Sequence, residues 1–169
     1  LKQLHFLEAA KLGNEAVLNY SNRLADKCEE EAGKTDDPEY KKELMELAEI
    51  CRYVPFHPAR TFQEAVQSIF MVLLAVHMES NGHAISLGRF DQYVYPLYKK
   101  DIEEGRITKE KALEIIECFF IKCNELNKLR SWPDTEFFMG YQMFINLAIC
   151  GQTVEGKDAT NDISRMCIQ

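Results

Sequence analysis

Residues 65–76 limit most strongly how this chain can fold, because they form an apolar run of helical length. Thr61 and Glu64, just before the run, have the spacing of a capping box, which predicts that a helix opens at Thr61. A helix that is apolar nearly all round must be covered on most sides. A larger protein provides that cover more easily than a lone bundle of 169 residues.

Helical patterns also account for most of the remaining chain. An amphipathic pattern with Leu4 and Leu7 in its apolar stripe predicts a long helix over residues 3–32. Residues 36–38, Asp-Asp-Pro, predict the start of a second helix. Two further helices are predicted at residues 91–104 and 108–129.

The sequence changes character after residue 130. Trp132 and Pro133 begin a passage that we predict to be irregular. Residues 143–150 are a short apolar run bounded by glycines, which is more typical of a buried strand than of a helix. Residues 153–158 predict a turn, and Thr160 is predicted to cap a last short helix.

Charge and cysteine usage narrow the class of protein. The formal net charge is -7, the pI is near 5.2, and no basic stripe is present, which disfavours nucleic acid and anionic membrane surfaces as partners. No segment approaches ~18 consecutive apolar residues, and the N-terminus lacks a signal layout. The six cysteines mostly sit in apolar or helical patterns, which fits a reducing cytosol. We therefore expect a cytoplasmic protein.

Both ends of the sequence fall inside helical patterns. The chain begins at Leu1 without an initiator Met and ends at Gln169 before a stop signal for its last segment. We therefore expect this chain to be a fragment of a larger protein.

The densest polar signal is the segment 79–89, which directly follows the most apolar helix. Polar groups delivered from a buried element must find partners or face a ligand. Gly82 and Gly88 permit turns or close backbone approach. Two interpretations stand at this point: a buried polar connector satisfied by neighbouring helices, or a loop that faces a ligand.

No metal site is predicted. His77 and His83 are six residues apart, which is not the spacing that places two imidazoles on one face of a helix. Cys118 and Cys123 lie about 140 degrees apart around a helix of 3.6 residues per turn, so packing is the expected role of both thiols.

Neither a catalytic thiol nor a phosphate loop is evident. Cys150 has no basic partner nearby to lower its pKa, and Cys167 fits the inner face of a starting helix. We interpret both as small hydrophobic residues. Glycine-rich phosphate-binding loops are absent from the sequence.

Three long segments in register resemble the pyruvate formate-lyase domain of glycyl radical enzymes. They are PARTFQEA at 58–65, ESNGHAISLGRFDQY at 79–93 and GYQMFINL at 140–147, and residues 151–153 and 158–161 continue the match. The resemblance implies an α/β barrel of two half-barrels wrapped by helices. Residues 1–169 would then be a mostly helical part of that domain, with helical shell and one or two barrel strands.

The resemblance also implies a chemistry and its partners. In this family a radical stored on a backbone glycine passes to a cysteine, whose thiyl radical abstracts a hydrogen atom from a small-molecule substrate. A radical S-adenosylmethionine activating enzyme installs the glycyl radical, and the full-length enzyme is expected to be a homodimer. The cysteine loop and the glycyl motif would lie beyond Gln169. None of the six cysteines is therefore expected to carry the radical.

The resemblance also implies roles for individual residues of the pocket wall. By resemblance, His83 and Ala84 stand where dehydratase-type members place a His-Ser pair against substrate hydroxyl groups, so His83 matches and Ala84 lacks the hydroxyl. Tyr141 corresponds to an aromatic residue that lines the cavity. Asn81, Arg89 and Asp91 are expected to support the site, Arg89 by tying Asp91 or backbone carbonyls.

The function expected from the resemblance is radical C–O or C–C bond cleavage of a small hydroxylated or carboxylated compound by a dehydratase or lyase. Formate C-acetyltransferase activity is an alternative, although it favours small apolar residues at the position of His83. A non-catalytic helical module that binds a partner is a second alternative.

Overall fold

The computed structural model describes residues 1–80, 84–140 and 144–169. These residues form two compact units, Leu1–Ala59 and Arg60–Gln169. Among the described residues, no helix has both the length and the apolar character needed to cross a membrane.

The first unit is a pair of helices, α1 (Lys2–Ala32) and α2 (Pro38–Tyr53). As predicted, α2 starts at Pro38, where the Asp37 carboxylate accepts the N–H groups of Glu39 and Tyr40 at 2.9 and 3.2 Å. The two helices are tied together by Ser21 of α1, whose hydroxyl lies 2.6 Å from the carbonyl oxygen of Cys51. Their contact surface is built mainly from small buried side chains: Ala25, Ala32, Ala48, Cys51 and Val54.

The predicted apolar stripe of α1 is only partly buried. Leu4 and Leu7 are 54% and 63% exposed, although both belong to the predicted stripe. The reason is length: at 1.5 Å per residue, the 31 residues of α1 extend about twice as far as the 16 residues of α2. The buried residues of α1 begin only at Ser21, so its first half has no covering element within this unit.

The second unit packs three long helices against a short sheet. The helices are α3 (Phe62–Ser80), α4 (Phe90–Glu103) and α5 (Lys109–Glu125). The sheet consists of β1 (Ser86–Arg89) and β2 (Asn146–Ala148), which pair in parallel. The short helices α6 (Trp132–Phe137) and α7 (Asp162–Met166) complete the described elements. Its core contains Phe62, Val66, Met71, Leu73, Phe90, Val94, Tyr98, Ala112, Ile116, Phe119 and Ile163.

The start of α3 is fixed by polar groups on both sides. The Thr61 hydroxyl accepts the Glu64 N–H at 3.2 Å, as the capping box predicts. The Glu64 carboxylate accepts the N–H of Arg60 at 2.6 Å and also pairs with the Arg60 guanidinium. From α4, Asp101 accepts the N–H of Phe62 at 2.7 Å. The buried first turn of α3 is therefore well supplied with acceptors.

The apolar helix α3 is covered on one side only by the described chain. Met71 and Leu73 are buried at 2% each, whereas Val72 is 48% and Val76 42% exposed. This partial burial agrees with the expectation that such a helix needs the cover of a larger body.

Five details of the sequence prediction were wrong. Residues 86–89 form strand β1, not a polar loop, and β2 is shorter than the run predicted at 143–150. The passage starting at Trp132 is the helix α6, capped by Ser131 with Pro133 in its first turn. Helix α5 ends at Glu125, short of residue 129. Helix α7 is capped by Asn161 instead of Thr160, because Asn161 and Ser164 exchange side-chain to backbone bonds in a capping box.

The Arg60–Glu64 pair predicts how stability depends on acid. Burial by itself raises the pKa of the Glu64 carboxyl, but the hydrogen bonds from Arg60 outweigh it and hold the pKa below its ordinary value of 4.5. A carboxyl whose pKa falls on folding adds stability above the unfolded pKa and loses it as the pH drops through the folded pKa. We therefore expect the free energy of unfolding to fall more steeply below pH 4.5 in the parent chain than in Glu64→Gln. Urea unfolding followed by circular dichroism at stepped pH measures this, and parallel curves for both proteins would contradict it.

Candidate functional site

The carboxyl ends of β1 and β2 are joined by the side chain of Arg89. Arg89 is the last residue of β1 and pairs with Ala148 of β2. Its guanidinium donates through Nη2 to the carbonyl oxygen of Cys150 at 2.7 Å and through Nη1 to that of Gln152 at 3.1 Å. One planar fork thus holds two carbonyl groups of the segment that leaves β2.

Asp91 binds the same segment from inside the core. Its side chain is fully buried, and its Oδ2 accepts the backbone N–H of Cys150 at 2.7 Å and the hydroxyl hydrogen of Ser164. The other carboxylate oxygen, Oδ1, is buried and accepts no hydrogen bond from the described residues. Because this buried carboxylate accepts hydrogen bonds from the segment after β2 and from α7, it fixes the distance between these two parts of the chain.

Two amide side chains extend this network. Gln92 donates through Nε2 to the carbonyl oxygen of Ala159 at 2.8 Å, and Asn161 donates through Nδ2 to the carbonyl oxygen of Asp91 at 3.1 Å. We call Arg89, Asp91 and Gln92 the α4 clamp. It connects the start of α4 to four residues between the end of β2 and α7, Cys150, Gln152, Ala159 and Ser164, over separations of 59 to 73 residues in sequence.

The clamped turn has an unusual backbone. Cys150 and Gly151 both have positive φ, at 62° and 89°. A Cβ atom at Gly151 would lie 3.4 Å from Arg89 Nη2 and 3.6 Å from its Cζ. The glycine at this position therefore serves both the left-handed backbone and the close approach of the guanidinium.

Gly151→Ala should destabilise the chain by about 2 kcal/mol. Roughly half of this comes from the left-handed backbone and half from weakening of the Arg89 hydrogen bonds, because the guanidinium must shift slightly to admit the Cβ. Gly156→Ala is the matched control, because Gly156 also has a positive φ of 76° but no atom lies within 4 Å of its added Cβ. Urea unfolding of both variants measures the difference, and equal losses would show that the Arg89 contact contributes nothing.

The residues predicted to bind substrate are only partly described. His83, Tyr141 and Asn81 lie outside the described residues. Ala84 is described: it is exposed and has a positive φ of 54°, just before β1. The roles predicted for these four residues, and the supporting roles predicted for Arg89 and Asp91, stay predictions.

A cleft of about 360 Å³ separates the sheet from the end of α5. Leu87 of β1 and Leu147 of β2 line one side. The remaining lining residues are Phe119, Phe120, Cys123, Asn124, Leu126, Asn127, Phe144 and Ile145. The cleft is predominantly apolar and places no described charged side chain against the sheet.

Two of the described thiols, Cys123 and Cys167, are poor candidates for nucleophiles. Burial, with smaller contributions from Asp91 and Cys150, raises the pKa of Cys167 to about 11. Burial also raises the pKa of Cys123 to about 11. Thiols in such surroundings are protonated near neutral pH. Cys118 was expected to pack but is exposed, because its position on α5 points away from the core residues Ile116 and Phe119.

No group of three His, Cys, Asp or Glu residues within the described ranges is arranged to hold a metal ion. His77, which the sequence analysis considered as a ligand, is buried on α3 and its Nδ1 lies 2.7 Å from the carbonyl oxygen of Leu73 in the preceding turn.

Sequence reasoning missed three members of the network: Gln92, Asn161 and Ser164. Asn161 and Ser164 carry a local signal, since an Asn three residues before a Ser forms a capping box. Gln92 has no such signal, because its partner is a backbone carbonyl 67 residues away.

Comparison with known proteins supports one family. A sequence model described as pyruvate formate lyase-like matches residues 1–169. Isethionate sulfite-lyase of Nitratidesulfovibrio vulgaris is 41% identical over 166 residues, which is 97% of this chain and 20% of that protein.

Solved structures agree with the sequence match. A structure described for 1,2-propanediol dehydration in Roseburia inulinivorans superposes with a TM-score of 0.94 at 49% identity, covering 96% of this chain and 20% of the other. The glycerol-bound B12-independent glycerol dehydratase of Clostridium butyricum superposes with a TM-score of 0.86 at 45% identity, covering 91% and 19%.

The structural similarity identifies the class of protein. The helices and the parallel strand pair are a fragment of a glycyl radical enzyme barrel, as the family resemblance of the sequence predicts. The chain spans about a fifth of the length of the relatives it matches. It belongs to the pyruvate formate lyase-like family.

Proposed function

We propose that the protein containing this chain is a glycyl radical enzyme that removes water from a small hydroxylated compound by C–O bond cleavage. The observation that carries the proposal is the likeness to the structure described for 1,2-propanediol dehydration, at 49% identity and a TM-score of 0.94 over 96% of the chain. The glycerol dehydratase, at 45% identity, supports the same reaction class.

Cleavage of a C–S bond is the second candidate. Isethionate sulfite-lyase is 41% identical over nearly the whole chain, and it shares the family but differs in the group that leaves. The matched relatives are lyases and dehydratases, so the comparison does not favour the two alternatives, formate C-acetyltransferase activity and a non-catalytic helical module.

The proposed cofactor is a glycyl radical on another part of the protein, which supplies hydrogen-atom abstraction from the substrate. The proposed partners are a radical S-adenosylmethionine activating enzyme and a second copy of the full-length protein. Within this chain, the proposed work is to bind the substrate, orient it and exclude water.

Two residues have proposed roles at the substrate. His83 hydrogen-bonds a substrate hydroxyl or carboxylate, and its protonated imidazole donates a proton to the leaving hydroxyl group, which departs as water. The ring of Tyr141 keeps the reacting carbon dry. Ala84 leaves room where related dehydratases carry a serine hydroxyl, so the substrate loses one hydrogen bond on that side.

The α4 clamp is the proposed support of this pocket. Arg89 and Asp91 hold Cys150, two residues after the end of β2, against the end of β1, so the spacing between the two strand ends is fixed. Asn81 is proposed to support the segment that carries His83. A pocket wall needs such positioning because small displacements of bound substrate are costly in rate.

The experiment is activation of the full-length protein without oxygen. The DNA beyond the Gln169 codon first defines the reading frame to express, together with its radical S-adenosylmethionine activase. We expect a glycyl radical signal by electron paramagnetic resonance, and conversion of propane-1,2-diol to propanal plus water. Isethionate converted to acetaldehyde plus sulfite, without diol turnover, would favour the second candidate. A stop codon at that point, or no radical after activation, would contradict the enzyme proposal.

His83→Ala tests the proposed role of the imidazole in the same assay. We expect the radical signal to be retained while kcat/KM for propane-1,2-diol falls about 100-fold, the lower range for removal of a general acid. His57→Ala, which changes an exposed histidine, is the matched control.

A further inference from the structure

The two faces of the strand pair meet different surroundings. Leu87 and Leu147 line the cleft together with Phe119, Phe120 and Cys123 of α5. Side chains alternate between the two faces of a strand, so Ser86 and Asn146, the preceding residues, lie on the face away from α5.

Ser86 and Asn146 are direct neighbours on that face. They are Cα partners in the parallel register of β1 and β2, and both are exposed. Adjacent strands lie about 4.8 Å apart, so one small molecule can contact both side chains. Asn146 also donates through Nδ2 to the carbonyl oxygen of Phe144 at 3.0 Å, which holds the amide in place.

The geometry of an α/β barrel determines which face of the strand pair points to the interior. In an α/β barrel the helices lie outside, and the strand side chains that point away from them fill the interior. Because Leu87 and Leu147 face α5, the opposite face is the interior one. Two polar side chains there are unlike the packed apolar residues that fill a closed barrel core.

We propose that Ser86 and Asn146 line the substrate cavity and bind a neutral hydroxyl group of the substrate. This proposal rests on the proposed function and names residues of that same site. A serine hydroxyl and a carboxamide each offer both a donor and an acceptor, which suits an alcohol. Ser86, Asn146 and Ala148 carry no charge to pair with a sulfonate or a carboxylate. The register partner of Ala148 is Arg89, and its guanidinium already donates to the carbonyl oxygens of Cys150 and Gln152.

The test uses the activated full-length protein and three substrates, propane-1,2-diol, glycerol and isethionate. Ser86→Ala and Asn146→Ala should each raise KM for propane-1,2-diol about tenfold, which corresponds to one lost hydrogen bond. Radical yield per protomer should be unchanged, and Ser86→Thr should restore KM to within about threefold of the parent. Val154→Ala, at a fully exposed turn residue, is the control.

Two results would overturn the proposal while leaving the dehydratase function intact. One is diol turnover with KM unchanged in both alanine variants. The other is a parallel loss of radical yield in both variants with Val154→Ala unaffected, which would mark the pair as barrel structure. Better turnover of isethionate than of propane-1,2-diol or glycerol by the parent would contradict the neutral substrate class.

A second measurement does not need radical chemistry. In the unactivated protein, Ser86→Cys should react with hydroxyethyl methanethiosulfonate, and propane-1,2-diol should slow that reaction. Peptide mass spectrometry separates the new thiol from the native ones, and Val154→Cys should react without protection. Labelling of Ser86→Cys that the diol does not slow, or a thiol that does not react, would overturn the proposal even if the parent protein shows no turnover.

Discussion

Asp91→Ala is expected to lower the free energy of unfolding by about 3 kcal/mol, one of the two largest losses of any single substitution that the structure predicts. Asp91 is fully buried, and its Oδ2 accepts the Cys150 N–H and the Ser164 hydroxyl hydrogen. Removing the carboxylate leaves both donors inside the protein without this acceptor, and each orphaned donor costs about 1–3 kcal/mol. Urea unfolding followed by circular dichroism measures the loss.

The control for Asp91→Ala is Glu117→Ala, which removes the same charge from an exposed position on α5 and should change stability by less than about 0.5 kcal/mol. The double variant with Ser164→Ala should lose less than the sum of the two single variants, because they share one hydrogen bond. Additive losses, or a loss in Asp91→Ala no greater than in the control, would contradict the structural role assigned to this carboxylate.

The helix starts could be predicted because their signals are local. Asp37 before Pro38, and Thr108 before Lys109, cap their helices through side chains two or three residues from the bonded N–H groups. Such bonds depend on neighbours in sequence, so the sequence alone identifies them. The barrel fold, in contrast, was predicted only from the family resemblance, because local sequence signals do not encode it.

The strand pairing could not be predicted in the same way. Ser86 pairs with Asn146 across 60 residues, and the register shifts between Ser86 and Arg89, where Gly88 has a positive φ of 68°. A glycine in a short polar run has the pattern of a loop. Only the partner strand makes residues 86–89 a strand.

The network around Asp91 shows the same limit in the candidate site. Support by Arg89 was expected, yet its two carbonyl acceptors at Cys150 and Gln152 are 61 and 63 residues away. Backbone carbonyls carry no sequence signature, so such partners become visible only in three dimensions. The same reasoning explains why Gln92 was missed.

Phe90→Ala is the second substitution with a large expected effect, a loss of about 3–5 kcal/mol. Phe90 is fully buried at the first position of α4, between Arg89 and Asp91 of the clamp. Its ring stacks on Phe119 of α5 with centroids 5.3 Å apart and meets Tyr93 edge-on at 5.9 Å. Truncation leaves a cavity at the point where the core meets the clamp, and the surrounding rings relax only partly into it.

The effect of Phe90→Ala should reach the clamp as well as the core. We expect faster hydrogen exchange at the Cys150 amide, whose acceptor Asp91 follows Phe90 directly in α4. Phe137→Ala is the matched control, since that ring is 79% exposed on α6 and its removal should cost less than about 1 kcal/mol. Slow exchange at Cys150 in a strongly destabilised Phe90→Ala protein would show that the clamp holds its geometry without the aromatic core beneath it, and would contradict the coupling between Phe90 and the clamp.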